Sequence, residues 1–328
     1  MPRQTVVPPS VCRLAARQEG LVGVAQCREH GMTDRQVGAL VRQGRWRRVM
    51  LGVFDTGIPS GRDDDPFDRR RRRGAVLGPV AFPGAVATGV AALVLHGVQG
   101  APRGVRPEVT FPDGSPRRSS KSVRVRREPL RRWLLVDGIP CVPAWLALAQ
   151  AVPELDRPAA VALMDSARYR RLVTETEFRR AREAARGRRG AARSGAWWDE
   201  SDARAESPIE TRARLACTDA GIPPDAVQLE LHDEHGRFLA RADLAWFLPE
   251  GRVVPVELDG REEHSTPAAV FRDRTRQNGL VARGARMLRY TGRDVTRDVV
   301  VADVARLLDR AGWTPRPWPT GTPFVLST

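Results

Sequence analysis

Residues 237–260 read Arg-Phe-Leu-Ala-Arg-Ala-Asp-Leu-Ala-Trp-Phe-Leu-Pro-Glu-Gly-Arg-Val-Val-Pro-Val-Glu-Leu-Asp-Gly. Pro249-Glu250-Gly251 punctuates the middle, and apolar or β-branched residues fill both flanks. That pattern predicts a β-hairpin, with Phe238–Phe247 running up and Arg252–Leu258 running down. With the turn centred on Glu250, Asp243 and Glu257 are each seven residues from the centre. They then stand opposite one another on one face, with Cβ atoms roughly 5 Å apart. Asp259 follows Glu257 by two and shares that face. Like charges this close raise one another's pKa, so three carboxylates at one hairpin end call for a proton or a cation between them. A hard divalent metal, Mg²⁺ or Mn²⁺, is the usual partner for carboxylate oxygens. The alternative is a set of solvated strand-end acids, with Asp259-Gly260 forming a turn.

The order of elements around the hairpin sharpens this reading. Ser207-Pro208-Ile209-Glu210 has the form of a capping box and starts a helix to about Ala220. A strand is predicted at Val227–Leu231, a helix from Pro267 to Arg283, a strand at Arg286–Tyr290 and a last helix around Asp298–Arg310. On the helix after the hairpin, Arg272 and Arg276 are four apart and share a face.

The matching segments are Ser-Pro-Ile-Glu-Thr-Arg-Ala-Arg (207–214), Ala-Arg-Ala-Asp-Leu-Ala-Trp (240–246), Val-Glu-Leu-Asp-Gly-Arg-Glu-Glu-His (256–264), Arg-Asp-Arg-Thr-Arg-Gln-Asn-Gly-Leu (272–280) and Met-Leu-Arg-Tyr-Thr (287–291). Taken together they resemble the PD-(D/E)XK nuclease superfamily, and within it the very-short-patch-repair (Vsr) endonuclease-like domains of many actinobacterial proteins. The resemblance covers about the last third of the chain. It implies that Asp243, Glu257 and Asp259 hold Mg²⁺, and that Glu210 joins the site from its helix or caps that helix. It also implies that His264 handles the proton of the attacking water or leaving group, and that Arg272 and Arg276 meet DNA phosphates. One departure stands out: Asp259 occupies the place where the family more often has Lys. Arg241, opposite Asp259 in the predicted register, supplies positive charge but titrates too high to act as a base.

Of the 54 basic residues, only Lys121 is not Arg, and the net charge is +15. The excess lies upstream of residue 207, and DNA is the natural partner for such a surface. The four cysteines are widely spaced with no C-x-x-C pair, as in reduced thiols of a cytoplasmic protein. The N-terminal residues lack an apolar core of signal-peptide length. The uncharged run Ala75–Val98 is rich in Ala, Gly and Pro and reads as buried core, not a membrane span.

Near the N-terminus, Val11–Gln18, Val24–His30 and Asp34–Gln43 read as helices, the third capped by Thr33 and closed by Gly44. Residues 45–54 alternate like a small hairpin. Three helices followed by a basic ribbon form a winged helix-turn-helix pattern. Gly-Leu-Val (20–22), Thr-Asp-Arg-Gln-Val (33–37) and Gly-Arg-Trp-Arg-Arg-Val (44–49) resemble the N-terminal domain of AbiEi-type antitoxins. That resemblance puts Arg35, Gln36 and Arg42 on a recognition helix and Arg45, Arg47 and Arg48 on a wing. Arg suits phosphates and guanine edges, because its planar fork donates two hydrogen bonds at once. The run Arg69–Arg73 reads as a solvated helix turn or a phosphate contact.

The chain is therefore expected to be α/β and multidomain. A winged helix-turn-helix (1–56) is followed by a middle α/β region (57–185) and a linker (186–206). A C-terminal αβββαβ restriction-endonuclease-like core (207–312) and a flexible tail (313–328) complete it. Two functions follow: a Mg²⁺-dependent DNA endonuclease, or a catalytically degenerate DNA-binding regulator, antitoxin-like, with a toxin or regulatory partner. A scaffold for a partner protein is the weaker third.

Overall fold

The computed structural model describes residues 5–62, 65–115, 122–259, 280, 286–316 and 318–326. Its contacts gather into two compact units. One comprises Met1–Leu163 with Arg170–Asp199, and the other Met164–Tyr169 with Glu200–Thr328. The described residues are mixed α/β with three sheets.

The first unit begins with α1 (Pro9–Arg17), β1 (Leu21–Gly23), α2 (Val24–Glu29), α3 (Asp34–Arg42), β2 (Arg47–Met50) and β3 (Val53–Asp55). The three helices and the basic hairpin lie where the sequence puts them. The short strand β1 was not anticipated, and it pairs with β3 to make a sheet of order β1-β3-β2. Thr33 caps α3, and Gln36 returns the bond to the Thr33 amide at 2.8 Å. Val11, Val22, Cys27, Val37, Leu40, Trp46 and Phe54 close a small core.

Helix α4 (Pro66–Ala81) carries the Arg run. Three of those residues are paired with other groups of the protein, and one of them, Arg72, is buried. Arg71 pairs with Asp68. Arg72 is almost fully buried, donating from Nε to Glu19 at 3.0 Å and from Nη2 to Asp137 at 2.6 Å. Arg73 bonds the Glu19 carbonyl at 2.8 Å and pairs with Asp55 at 2.7 Å. Breaking a buried pair such as Arg72–Glu19 costs about 3–5 kcal/mol, because the remaining charge loses its counterion. This latch ties α4 to the three-stranded module.

The middle region adds β4 (Val86–Ala87), α5 (Gly89–Leu95), β5 (Glu108–Thr110), β6 (Arg124–Arg126), β7 (Leu134–Val136) and β8 (Ile139–Cys141). The strands form a sheet of order β6-β5-β4-β8-β7. The single strand expected at Val136–Val142 is instead the β7–β8 hairpin. Its turn residues Asp137 and Gly138 both have positive φ, at 52° and 81°, the conformation two-residue hairpin turns favour. Helices α6 (Ala144–Ala151), α7 (Arg157–Tyr169), α8 (Glu175–Ala185) and α9 (Ala191–Ser194) follow. Part of the stretch read as a linker is packed: Trp197 and Trp198 are buried, and the Trp198 ring packs at a tilt against Phe178, centroids 5.2 Å apart.

The second unit holds α10 (Pro208–Asp219), β9 (Ala226–Asp233), β10 (Phe238–Phe247), β11 (Val253–Asp259), β12 (Leu288–Thr291), α11 (Gly292–Thr296), α12 (Val299–Arg310) and β13 (Phe324–Leu326). Its sheet runs β12-β11-β10-β9-β13. Strand β10 is antiparallel to β9 and β11, while β12 is parallel to β11 and β13 to β9. The hairpin register is Leu244↔Val256 through Phe247↔Val253, which is the register counted from Glu250. Both sheet faces are covered. Leu244, Trp246, Val256 and Leu258 pack with α10 and α12, while Ala245, Phe247 and Val253 pack with Phe324 and Leu326. Burying a side chain the size of Leu244 contributes about 2–3 kcal/mol.

The segment after Gly312, expected to be a flexible tail, is anchored through residue 326. Asp225, itself buried, accepts from the Phe247 amide (2.8 Å), Trp313 Nε1 (2.8 Å) and the Arg316 amide (2.7 Å). Its carbonyl takes the Trp318 amide at 3.0 Å. Trp318 then stacks on Phe247 at 4.5 Å, and Phe324 on Phe247 at 5.2 Å. Replacing Asp225 by Ala orphans the buried Phe247 amide and removes two part-buried hydrogen bonds, from Trp313 and Arg316, and is expected to cost on the order of 3 kcal/mol. Amide hydrogen exchange at Phe324–Leu326 should then accelerate while the β10–β11 ladder stays protected; unchanged exchange at 324–326 would show that the anchor lies elsewhere.

Candidate functional site

The site is built from three neighbouring strands and one helix start. Strand β10 brings Asp243 opposite Glu257 by the observed register. The β9–β10 ladder, with Ala242↔Leu229 and Leu244↔Val227, puts Gln228 opposite Asp243 on the other side. Helix α10 starts at a Ser207 cap and carries Glu210 in its first turn.

Each carboxylate is held differently. Asp243 accepts the Leu258 amide on Oδ2 at 2.7 Å and Gln228 Nε2 on Oδ1 at 3.2 Å. The same Gln228 nitrogen donates to Glu210 Oε2 at 2.8 Å. Glu210 also takes the Ser207 hydroxyl on Oε1 at 2.6 Å and the Glu206 amide on Oε2 at 2.9 Å. Glu210 thus braces its helix start through the Ser207 hydroxyl and the Glu206 amide, not through the Ser207 amide that the expected capping box would use, and it also reaches Asp243 through Gln228. Glu257 turns the other way, to Arg289 Nε at 2.9 Å on the adjoining strand β12. Arg241, expected beside Asp259, pairs with Glu206 at 2.9 Å.

Burial first, then the charge of Glu210, pushes the Asp243 carboxyl up to about 6. The Leu258 and Gln228 hydrogen bonds and Arg241 pull against that rise. Glu210 is raised chiefly by burial. Glu257 is also raised by burial, with Arg289 opposing and Asp259 and Asp243 reinforcing.

Among the described residues, no group of three His, Cys, Asp or Glu side chains is arranged to hold a metal ion. Asp243, Glu257 and Asp259 influence one another electrostatically, but they do not assemble as one ligand set. The pair joined by a shared hydrogen-bond donor is Asp243 and Glu210. All-oxygen donors of this kind fit a hard divalent cation. His264, Arg272 and Arg276 lie outside the described residues.

In the first unit Arg35, Gln36, Arg42, Arg45, Arg47 and Arg48 are all exposed. Several have partners of their own. Gln36 closes the Thr33 capping box, Arg45 bonds the Thr5 carbonyl at 2.7 Å, Arg47 pairs with Asp55, and Arg48 lies over the Phe54 ring. Arg42 and Arg48 share a groove with Arg28 whose lining includes Val24, Val37 and Phe54.

Sequence reasoning missed Gln228, Arg289 and Asp225. Gln228 reads as an ordinary polar residue within a strand. Its contacts depend on which strands flank β10 and on a backbone φ of +52°, neither of which is written in local composition.

No known protein-family model matches the chain. It is similar to two proteins of Mycobacterium tuberculosis, uncharacterized protein MT2308 of strain CDC 1551 / Oshkosh and uncharacterized protein Rv2248 of strain ATCC 25618 / H37Rv. Each is 36% identical over 171 residues, which are 52% of this chain and 61% of the relative. The match therefore spans about three-fifths of the length of these curated relatives. No helix among the described residues is long and apolar enough to cross a membrane.

The pH dependence of the site has a definite sign. Unfolded Asp titrates near about 3.9, whereas folded Asp243 titrates at about 6. Between those values the folded state holds the extra proton, so this group's contribution to stability falls as pH rises and levels off above pH 6. The expected outcome is a ¹³C carboxyl resonance of Asp243 that moves near pH 6. A Tm–pH curve for Asp243→Asn should lack about 2–3 kcal/mol of the parent's decline over that window. A midpoint near 4 would contradict the buried, Glu210-coupled site.

Proposed function

We propose that this chain is a cytoplasmic DNA-binding protein whose C-terminal unit is a Mg²⁺- or Mn²⁺-dependent endodeoxyribonuclease of the PD-(D/E)XK, Vsr-like kind. The observation that carries the reading is the pair Asp243–Glu210. Two carboxylates with raised pKa values converge on one neutral amide at the middle of a sheet, with no cationic side chain bonded to either among the described residues. Sites of this kind are where function concentrates, because a purely structural pair gains by an Arg or Lys partner. The order helix, three antiparallel strands, parallel strand, helix supports the nuclease-like core. The order of helices and basic hairpin in the first unit supports the winged helix, with its exposed Arg35, Arg42, Arg45, Arg47 and Arg48 toward DNA.

In this reading Asp243 and Glu210 hold the divalent cation. When bound, the cation polarises the phosphate and lowers the pKa of a water molecule. The Leu258 amide fixes the Asp243 carboxylate so that one oxygen faces Glu210. Arg289, paired with Glu257, keeps permanent positive charge near the acidic end of the hairpin, where the resembling family has Lys; it stabilises anionic phosphate without serving as a base. His264 is the candidate for moving the proton.

A second reading has an observation in its favour. Glu257 is taken up by Arg289, and Asp259 stands in the Lys position, which suits a regulator that binds DNA and no longer cuts it.

A single set of samples decides. Supercoiled plasmid with Mn²⁺ is expected to be nicked by the parent and at least about 100-fold more slowly by Asp243→Asn, because a ligand loss exceeds the 10–100-fold cost of an outer contact. Binding to a labelled duplex should weaken steeply with salt as counterions return to the phosphates, equally in parent and variant. Salt-sensitive binding without nicking would establish the regulator. Absence of binding at low salt would overturn both readings.

A further inference from the structure

The backbone at Gln228 is in the left-handed region, with φ of +52°. Such a conformation is costly for a residue with a Cβ and easy for Gly. A strand that needed only this bend would be better served by Gly or Asn. The side chain therefore has work to do, and its contacts show where. Nε2 donates to Glu210 Oε2 at 2.8 Å and to Asp243 Oδ1 at 3.2 Å. Oε1 is buried and has no hydrogen-bond partner among the described residues. A carboxamide ordinarily satisfies both ends when buried, since an unmet acceptor carries its full desolvation cost. Here the donor end is used twice, once on each carboxylate, and the acceptor end is idle.

We propose that Gln228 is the missing third member of the cation site: its NH₂ stands in for the cation between Asp243 and Glu210 when the site is empty, and its Oε1 becomes the third oxygen ligand when a divalent cation enters. The inference rests on the cation-binding reading of the same site. Rotation of the carboxamide about its last torsion exchanges N for O at one position, a broad two-fold torsion with little steric consequence. It turns a donor that bridges two anions into an acceptor that joins them. Amide and carboxylate oxygens together are a usual donor set for hard divalent ions. A ligand of this type is invisible to a count of acids, which is why the three hairpin acids alone do not account for the site. The left-handed backbone gives the side chain its aim; Gln has the length to reach both acids, and Asn falls one methylene short.

The test is Mn²⁺ binding by calorimetry and by the loss of free-ion electron paramagnetic resonance signal, on the full chain and three variants, with Tm recorded for each. Gln228→Gly and Gln228→Asn both suit the left-handed backbone, which offsets part of the loss of the hydrogen bonds to Asp243 and Glu210, so both are expected to fold with a cooperative melt yet bind Mn²⁺ about 10–100-fold more weakly. Gln228→Glu keeps the reach and the oxygen but cannot donate. It is expected to bind Mn²⁺ at least as tightly as the parent, and to melt lower without the ion. Weakened binding by Gln228→Glu would show Gln228 to be a hydrogen-bond spacer and would overturn the ligand role. Parent-like binding by the Gly and Asn variants would overturn the proposal alone. Absence of Mn²⁺ binding by the parent would overturn the cation reading and the proposal with it.

Discussion

A one-residue slip of β10 against its neighbours would move Leu244 and Trp246 off the face they fill beneath α10 and α12 and put Asp243 there, because side chains alternate faces along a strand. The observed pairing of Leu244 with Val256 is therefore the constraint on which the second unit depends. Burial on both faces enforces it. Trp246 is fully buried and donates to the Ile222 carbonyl at 3.1 Å, while Phe247 on the other face anchors the aromatic stack with Trp318 and Phe324. With the register set, Asp243 falls between Gln228 and Glu257 without further specification, and Leu258 presents its amide to the Asp243 carboxylate.

Both units pair Arg with carboxylates, but the second leaves one carboxylate pair without a cation. In the first, Arg is a structural cement. Arg72 is buried against Glu19, Arg126 bonds both Glu108 and Glu154, and Arg188 pairs with Glu128. The net charge of +15 is what is left after every acid is counted, so it is carried by the remaining Arg residues and not by those committed to these pairs. In the second unit, Glu210 and Asp243 go without a cationic partner and share one amide. Leaving one buried and one half-buried carboxylate so poised raises their pKa values and lowers stability at neutral pH, a cost characteristic of sites that await a ligand.

The hairpin was legible because its signals are local: Pro249 and Gly251 fix the turn, and counting from Glu250 fixes the pairing. The helix caps at Thr33 and Ser207 were legible for the same reason. What escaped depends on partners distant in the chain. Arg289 meets Glu257 only because β12 lies parallel beside β11. Asp225 anchors Trp313 and Arg316 across a gap that no periodicity reveals, which is why a Pro- and Thr-rich segment read as a loose tail. Arg72 looks solvated in a run of five Arg until Glu19 and Asp137 are seen on either side of it. Gln228 combines both difficulties, a left-handed backbone at a non-glycine residue and two contacts set by sheet order.

In the proposed function, Asp243, Glu210 and Gln228 form one cation site. The direct measurement is an anomalous difference map from crystals equilibrated with Mn²⁺. A peak within about 2.0–2.3 Å of Asp243 and Glu210 oxygens, distances usual for hard divalent ions, with the Gln228 carboxamide oxygen turned toward it, is the predicted result. A peak on Glu257 and Asp259 instead, or a Gln228 amide that still bridges two metal-free carboxylates at saturating Mn²⁺, would contradict it.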